Sequence, residues 1–262
     1  MVHIDKEKCI GCGLCAGDCL GKAISLDSGK AEIIKGCFMC GHCVAICPAE
    51  AVSFVGDKYG ENDVEPMGAG FGIDGDTMLH AIKARRSIRQ YKKQPVEREV
   101  LEKILEAGRF SPTASNRQNV RYIVFSAETE NLRELAMAEL RSYEHDEEAF
   151  AKVFPPPMSR DRMDFSDDNF LFKGAPVVIM TVSPHTVNAT IAAANMELQA
   201  VSMGLGMLYV GFFVRMAAIS QPIREYLGLA EDEQVVNCLC FGWPDVTYQR
   251  TVPRIKLDAQ WR

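Results

Sequence analysis

The sequence lacks the features of several large protein classes. Its 29 Lys and Arg are outnumbered by 35 Asp and Glu, so it has no surplus of positive charge for a nucleic acid. No apolar run is both long and charge-free enough to cross a bilayer, and the first ten residues do not form a secretory signal. No Ser-His-Asp set or working pair of carboxylates is recognisable, and no catalytic side chain is predicted. We expect a cytoplasmic protein without nucleic-acid or membrane partners.

Cysteine is the residue that the sequence has in excess. Ten cysteines occur in 262 residues, and eight of them lie within the first 47. In the cytosol thiols are kept reduced, so such a cluster indicates metal binding and not disulfides.

The eight cysteines form two copies of one spacing. Each copy has three cysteines separated by two residues and a fourth after three more, and Pro48 follows the second copy. This is the run of bacterial ferredoxins with two 4Fe-4S clusters, in which the fourth cysteine of each run ligates the other cluster. Structural zinc is the alternative, but zinc ligands usually come in two separated pairs. The predicted ligands are Cys9, Cys12, Cys15 and Cys47 for one cluster and Cys37, Cys40, Cys43 and Cys19 for the other.

Four residues near or outside these motifs need separate interpretation. Leu20 stands where Pro is usual, so we expect a local change of geometry without loss of a ligand. His42 is interpreted as a solvated loop histidine, because eight cysteines already satisfy two clusters. Cys238 and Cys240 share one face of an apolar run and are expected to pack as small hydrophobic side chains.

After the cysteine motifs, the composition of the chain and the spacing of its apolar residues change. We expect a cysteine domain at 1–56, a linker rich in Gly and Asp at 57–76, and a larger domain at 77–262. Apolar spacing predicts helices at 77–86, 97–109, 128–145 and 187–204, and strands at 23–26, 51–55, 120–126, 176–182 and 235–242. The fold class is therefore α+β, with a sheet between helices. Segment 150–174 is interpreted either as a lid over a site or as a surface excursion.

Two polar segments of the larger domain suit a flavin mononucleotide. Arg85-Arg86-Ser87-Ile88-Arg89 offers guanidinium groups that match phosphate oxygens, although a solvated charge run would look the same. The loop at 111–119 contains Asn116 and Gln118, whose amides can both donate and accept at the edge of an isoalloxazine ring.

Five motifs in order make the chain from about residue 77 to its end resemble the nitroreductase family. They are Arg85-Arg86-Ser87-Ile88-Arg89, Ser111-Pro112-Thr113-Ala114-Ser115-Asn116-Arg117-Gln118, the strand Ala175-Pro176-Val177-Val178-Ile179, Gly204-Leu205-Gly206 and Gly242-Trp243-Pro244. The whole chain resembles nitroreductases fused to a ferredoxin domain. This implies FMN as a cofactor beside the two 4Fe-4S clusters, and a homodimer in which the helix at 187–204, rich in small residues, takes part.

The resemblance also implies which residues contact FMN. The phosphate and ribityl end falls to Arg85, Arg86, Ser87 and Arg89, the ring to Pro112, Thr113, Asn116 and Gln118, and its other edge to Tyr209, Val210 and Gly211. A basic residue after Gly242-Trp243-Pro244 is expected on the phosphate, with Arg254 and Lys256 as candidates and Arg250 as a weaker one. Asn119-Val120 departs from the Pro-Trp common in the family, so we expect a different wall on the substrate side of the site.

Clusters pass single electrons and a flavin accepts one or two, so the two halves together imply an oxidoreductase. We hypothesise that a ferredoxin-type donor reduces the clusters, and that FMN then reduces a small electron-poor acceptor such as a nitroaromatic, quinone or enone by hydride transfer. Two alternatives stay open. NAD(P)H would reduce FMN and the clusters would export electrons, or the chain would be a non-catalytic electron carrier or redox sensor.

Overall fold

The chain forms two compact units. A computed structural model describes residues 1–56, 58–60, 63–68 and 72–262. One unit comprises Met1–Gly72 with Ala114–Arg117, and the other comprises Ile73–Thr113 with Gln118–Arg262. Residues 57, 61, 62 and 69–71 of the expected linker lie outside the described residues. No helix of the described part is long and apolar enough to span a membrane.

The first unit is built from two small antiparallel pairs of strands and two single-turn helices. Strand β1 pairs with β4, and β2 pairs with β3. Each helix begins directly after a glycine in the left-handed conformation, Gly13 at φ 81° and Gly41 at φ 79°. The elements are β1 Val2–Ile4, α1 Leu14–Gly17, β2 Ile24–Ser25, β3 Glu32–Ile33, α2 His42–Ala45 and β4 Val52–Phe54.

The two cysteine motifs end in the same turn. The Lys22 amide donates to the Cys19 carbonyl across 2.9 Å, and the Glu50 amide donates to the Cys47 carbonyl across 3.3 Å. Lys22 and Glu50 also share a positive φ, 45° and 48°. The expected change of geometry at Leu20 is therefore wrong at the level of the backbone, because the turn needs no hydrogen bond from the residue after the cysteine.

The second unit is a four-stranded antiparallel sheet with helices around it. The strand order is β5-β6-β8-β7, and a register shift occurs in β6 between Thr181 and Val182. The strands are β5 Arg121–Phe125, β6 Val177–Val182, β7 Gly206–Tyr209 and β8 Val235–Gly242. The helices are α3 Gly75–Ala84, α4 Arg98–Arg109, α5 Thr129–Ser142, α6 Glu147–Val153, α7 Thr186–Ser202, α8 Gly211–Ile219 and α9 Gln221–Tyr226.

Both faces of the central strands are covered. All six residues of β6 are buried, which is why its sequence is apolar at every position except Thr181 instead of alternating. Side chains on one face join a core with α5, α6 and α8, while Val177 and Ile179 on the other face pack with α4 and α7. The expected α+β class with a helix-covered sheet is confirmed.

The 150–174 segment belongs to the core of the second unit. Phe154, Leu171 and Phe172 are at most 3% exposed, and they pack in the cluster that contains α5 and α8. The aromatic residues anchor the segment in the core, so the interpretation as a surface excursion is wrong for these side chains, while the interpretation as a lid stays a prediction.

Candidate functional site

The cysteines of the first unit converge from both motifs. A small cavity, otherwise lined mainly by apolar side chains and glycines, has four cysteines in its wall: Cys9, Cys12, Cys15 and Cys47. These are the four predicted for one cluster, three from the first motif and the last from the second. The arrangement has the donor chemistry of an iron–sulfur site, and the role of each cysteine as a ligand stays a prediction.

Backbone amides are directed at the cysteine sulfurs. The Ala23 amide donates to Cys19 Sγ across 3.2 Å, and the Ala51 amide donates to Cys47 Sγ across 3.3 Å. The Ala31 amide likewise lies 3.4 Å from Cys9 Sγ. Such bonds stabilise the thiolate form, and hydrogen bonds to sulfur set cluster potentials. The backbone is therefore arranged for charged sulfur ligands.

Burial has the opposite effect on two other thiols. It raises the pKa of Cys43 to about 11, with further increases from the neighbouring Cys37 and Cys40. Burial also raises the pKa of Cys15, which Cys12 and Cys47 raise further. For Cys9, by contrast, the amide bonds lower the pKa. Cys43 is thus influenced by two cysteines of its own motif, and Cys15 by one cysteine of each motif.

In the second unit, the arginine-rich segment runs along the edge of the sheet. Ser87 forms a parallel bridge with Met207 of β7, and the Ile88 amide donates to the Met207 carbonyl across 2.9 Å. The contact requires a glycine at 206, because a Cβ there would lie 2.3 Å from Cγ1 of Ile88. Gly206 therefore fixes the predicted phosphate segment on β7.

The arginines of this segment have different surroundings. Arg85 Nη1 lies 3.0 Å from Glu197 Oε1 of α7, and both side chains are largely shielded from solvent. Arg86 turns back to donate to the carbonyls of Lys83 and Ala84 at the end of α3. Arg89 is exposed. Of the three, Arg85 is thus the one held in place by a partly buried ion pair.

The polar loop after α4 is supported by two asparagines of α7. Asn195 Nδ2 donates to Ser111 Oγ across 2.8 Å at the start of the loop, and Asn188 Nδ2 donates to Asn119 Oδ1 across 2.9 Å at its end. Within the loop the Gln118 amide donates to Thr113 Oγ1 across 2.9 Å. Pro112 precedes this contact and is exposed. Helix α7 therefore supports two of the segments predicted to contact FMN, 85–89 and the polar loop.

The middle of the loop, Ala114–Arg117, belongs by its contacts to the first unit. There Asn116 Nδ2 donates to the carbonyl of Met39 across 2.6 Å. Met39 lies between Cys37 and Cys40 of the second cysteine motif. Sequence reasoning predicted Asn116 beside the flavin, which stays a prediction, and did not anticipate its contact with Met39.

The other predicted flavin edge lies where β7 ends and α8 begins. Burial raises the pKa of Tyr209 to about 12, and the Glu197 carboxylate raises it further. The Val210 amide donates to the Cys238 carbonyl across 2.8 Å. A Cβ on Gly211 would meet no described atom within 4 Å, so there is open space in front of this residue. Glu197 and Arg85 both influence the pKa of Tyr209, so the three side chains belong to one part of the candidate site.

The C-terminal basic residues are not brought to this site. Arg254 and Lys256 lie in an exposed segment without helix or strand. Within the described ranges no hydrogen bond or ion pair joins them to the 85–89 segment. Their contact with a phosphate stays a prediction.

The polar residues Asn188, Asn195 and Glu197 of α7 were not predicted as part of the site, because the sequence was interpreted there only as a helix rich in small residues. Asn188 is 2% and Glu197 9% exposed, and both have partners in the predicted flavin segments. A signal was present, because Asn188 and Asn195 are seven residues apart and lie on one face of a helix. Cys238 and Cys240, by contrast, are fully buried in β8, as predicted.

Comparisons with known proteins match both halves of the chain. Residues 82–243 match the nitroreductase family, and residues 1–48 match a 4Fe-4S dicluster domain. A ferredoxin of Pyrobaculum islandicum is 43% identical over 54 residues, which are 20% of this chain and 50% of that protein.

Two further similarities concern the second half. An NADPH-flavin oxidoreductase of Vibrio harveyi is 30% identical over 178 residues, or 64% of this chain; the chain spans only 65% of that relative. A nitroreductase of Bacteroides fragilis NCTC 9343, solved with bound FMN, has the same fold with a TM-score of 0.56. It is 20% identical, and the match covers 70% of this chain and 98% of that one.

Proposed function

Since this chain belongs to the nitroreductase family and begins with a 4Fe-4S dicluster domain, we propose that it is an FMN-dependent oxidoreductase fed with single electrons by two 4Fe-4S clusters. The observation that carries the proposal is the convergence of cysteines from both motifs on one cavity, in the same chain as the sheet-edge arginine segment. In such a protein the clusters supply one-electron steps and FMN supplies two-electron chemistry.

The residues present suit these groups. For the clusters, the amides of Ala23, Ala31 and Ala51 already point at cysteine sulfurs. For FMN, we propose that Arg85 binds the phosphate, because its guanidinium is held in a partly buried ion pair close to the sheet edge. The further proposed contacts are Arg86, Ser87, Arg89, Pro112, Thr113, Asn116, Gln118, Tyr209, Val210, Gly211, Arg254 and Lys256.

The substrate is proposed to be a small electron-poor molecule of the nitroaromatic, quinone or enone type, reduced by hydride transfer. The electron donor is proposed to be a ferredoxin-type protein, because the chain carries its own ferredoxin-like domain as an entry point. One observation favours the reverse direction, in which NAD(P)H reduces FMN and the clusters export electrons. It is the similarity to a relative described as an NADPH-flavin oxidoreductase.

Anaerobic purification followed by iron, sulfide and flavin quantitation tests the cofactors together. We expect two clusters and one FMN per chain, and a protein without iron or without flavin would contradict the proposal. Turnover of a nitroaromatic or quinone with reduced ferredoxin is then compared with turnover with NADPH. Rapid turnover with NADPH alone would support the reverse direction.

The organisation of the chain follows from the same proposal. We propose domains at 1–56 and 77–262 joined by a linker at 57–76, and a cytoplasmic location where cysteines remain reduced for cluster binding. We also propose a homodimer, supported by the small residues of α7 and by apolar side chains that the C-terminal segment leaves exposed, such as Ile255 and Trp261. Sedimentation of the holoprotein tests the dimer.

A further inference from the structure

The two cysteine motifs fold alike but are covered differently. In each motif the residue before the second cysteine has a positive φ, Gly11 at 70° in the first and Met39 at 55° in the second. The first loop is covered by the turn between β2 and β3, where a Cβ on Gly11 would lie 2.4 Å from the Gly29 carbonyl oxygen. In the same region Lys30 donates to the carbonyl of Cys9.

The second loop receives its cover from a distant part of the sequence. The Met39 carbonyl accepts the 2.6 Å hydrogen bond of Asn116, which is 77 residues away. Met39 itself is half-buried against the core of the first unit. One loop is thus closed by the cysteine domain's own hairpin turn and the other by the segment Ala114–Arg117.

Unfavourable backbone conformations are concentrated at this contact. Among the described residues seven non-glycine residues have a positive φ, and four of them are at this contact or beside it in sequence: Met39, Ser115, Asn116 and Gln118. Non-glycine residues adopt this conformation at a cost, and such costs persist where surrounding structure enforces them, often at functional sites. The first motif uses glycine at the equivalent position and avoids the cost.

The neighbours of Asn116 along the chain are residues proposed to contact FMN. Thr113 and Gln118 lie within three residues of it on either side and are joined by the hydrogen bond from the Gln118 amide to Thr113 Oγ1. The ends of the same loop are fixed to α7 through Ser111 and Asn119. A displacement of Asn116 would therefore be transmitted to the proposed flavin contacts, and one of these contacts to Asn116.

We infer that Asn116 is a positioning residue that holds the Cys37–Cys40 loop for electron exchange with FMN. This inference rests on the proposed function. It assigns the exchange to the cluster predicted on Cys37, Cys40, Cys43 and Cys19, because Asn116 contacts the loop of that motif. Each exchange oxidises that cluster by one electron and gives the electron to FMN. A ferredoxin-type donor returns the cluster to its reduced state, and solvent supplies the proton that accompanies the second electron.

The test replaces Asn116 while keeping its backbone conformation accessible. Asn116→Asp keeps the shape and tolerates a positive φ but has no donor when ionised, and Asn116→Gly removes the side chain while favouring the same φ. Asn131→Asp is the matched control, because Asn131 is exposed on α5 and the charge change is equal.

Two measurements are made on anaerobic holoprotein. After rapid reduction of the clusters, we expect flavin reduction in both Asn116 variants to slow about tenfold, since small misplacements of reacting groups have effects of this order or larger. Hydrogen exchange in the peptide covering Phe38–Cys40 is expected to accelerate in both variants. FMN affinity is measured for each variant, the rates are compared at saturating FMN, and Asn131→Asp is expected to match the unmodified protein in both measurements.

The outcomes separate this inference from the proposed function. If the unmodified protein transfers electrons from clusters to flavin and both Asn116 variants do so at the same rate, the inference is wrong and the proposed function stands. If the unmodified protein transfers no electrons from clusters to flavin, the proposed function fails. The hydrogen-exchange data then decide by themselves whether Asn116 holds the Cys37–Cys40 loop. Weakened FMN binding with unchanged hydrogen exchange would make Asn116 a flavin contact only and overturn the inference.

Discussion

The guanidinium of Arg85 and the carboxylate of Glu197 form a 3.0 Å ion pair at the end of α3, with only 27% and 11% of their side chains exposed. The pair connects the segment proposed for the FMN phosphate to the helix that also supports the polar loop. An arginine held in this way is oriented before the phosphate binds, which reduces the entropy lost on binding. The same pair has a consequence for stability.

We predict that stability changes with pH through Glu197. Burial raises the pKa of this carboxyl above its ordinary value of 4.5, although Arg85 opposes the change. The folded chain therefore holds the proton more strongly than the unfolded chain. The stabilisation is complete below about pH 4.5 and is lost as the pH rises through the folded pKa. Glu197→Gln removes this loss, so the variant should gain stability relative to the unmodified protein as pH rises, as measured by urea unfolding.

Glu233→Gln is the control with the opposite sign. The hydrogen bond from Arg121 lowers the pKa of Glu233 below 4.5, so its stabilisation is present above that pH and is lost as the pH falls through the folded pKa. The opposite result for Glu197 would contradict the prediction. If the unmodified protein gains stability relative to Glu197→Gln as the pH rises, the attraction between Glu197 and Arg85 outweighs the effect of burying Glu197.

Two glycines near the proposed flavin site should respond differently to alanine. Gly206→Ala places a Cβ against Ile88 and should cost about 1–3 kcal/mol, a typical penalty for overpacking. Gly211→Ala meets open space and should leave the stability of the FMN-free protein unchanged or slightly raised. If FMN lies against Gly211, this variant should bind it more weakly. Thermal unfolding and flavin fluorescence titration check both, and normal FMN affinity in Gly211→Ala would argue against that contact.

The equivalent positions of the two cysteine loops give a further matched pair. Gly11→Ala brings a Cβ within 2.4 Å of the Gly29 carbonyl oxygen at positive φ, so it should lose the first cluster and part of the visible iron–sulfur absorbance. Met39→Gly removes a conformational cost of about 1–2 kcal/mol and keeps the carbonyl that Asn116 binds. Met39→Gly should therefore retain both clusters. Equal loss of iron in Gly11→Ala and Met39→Gly would contradict the predicted difference between the two loops.

Much of the larger domain was predictable from apolar spacing. Strand β8 was predicted with its bounds, and α4 and α7 within one or two residues, because their periodic apolar faces are long. Strand β7 and helix α8 were not predicted. Gly206–Tyr209 is only four residues long, and α8 is apolar on most sides, so neither has a clear period. The family resemblance was also needed before the 85–89 segment could be distinguished from a solvated charge run.

The candidate site was predictable only where it depends on local spacing. Regular spacing identified the eight cysteines, since two-residue gaps followed by a fourth cysteine are typical of cubane ligands. The partners of Asn116 and Arg85 are 77 and 112 residues away, and no local pattern encodes such pairs. The change of geometry expected at Leu20 was wrong, because the turn is closed by the hydrogen bond from the Lys22 amide to the Cys19 carbonyl, which does not involve residue 20.

The last prediction concerns the two cysteines outside the motifs. Cys238 and Cys240 are fully buried in β8, and burial raises both pKa values, so neither forms the reactive thiolate readily. After the clusters are removed with a chelator and an oxidant and the thiols are reduced again, alkylation without denaturant should label the motif cysteines only. Mass spectrometry of tryptic peptides reads this out, and early labelling at Cys238 would show that β8 opens.

Helix α7 constrains how this protein can diversify. One face of it supports the polar loop through Asn188 and Asn195, while Glu197 holds Arg85. A substitution there would disturb both the segment proposed for the FMN phosphate and the loop proposed for the flavin ring, so we expect few such changes to leave cofactor binding intact. New substrate preferences are therefore expected to arise at positions such as Val120, outside the helix, and a library aimed at new acceptors should leave α7 unchanged.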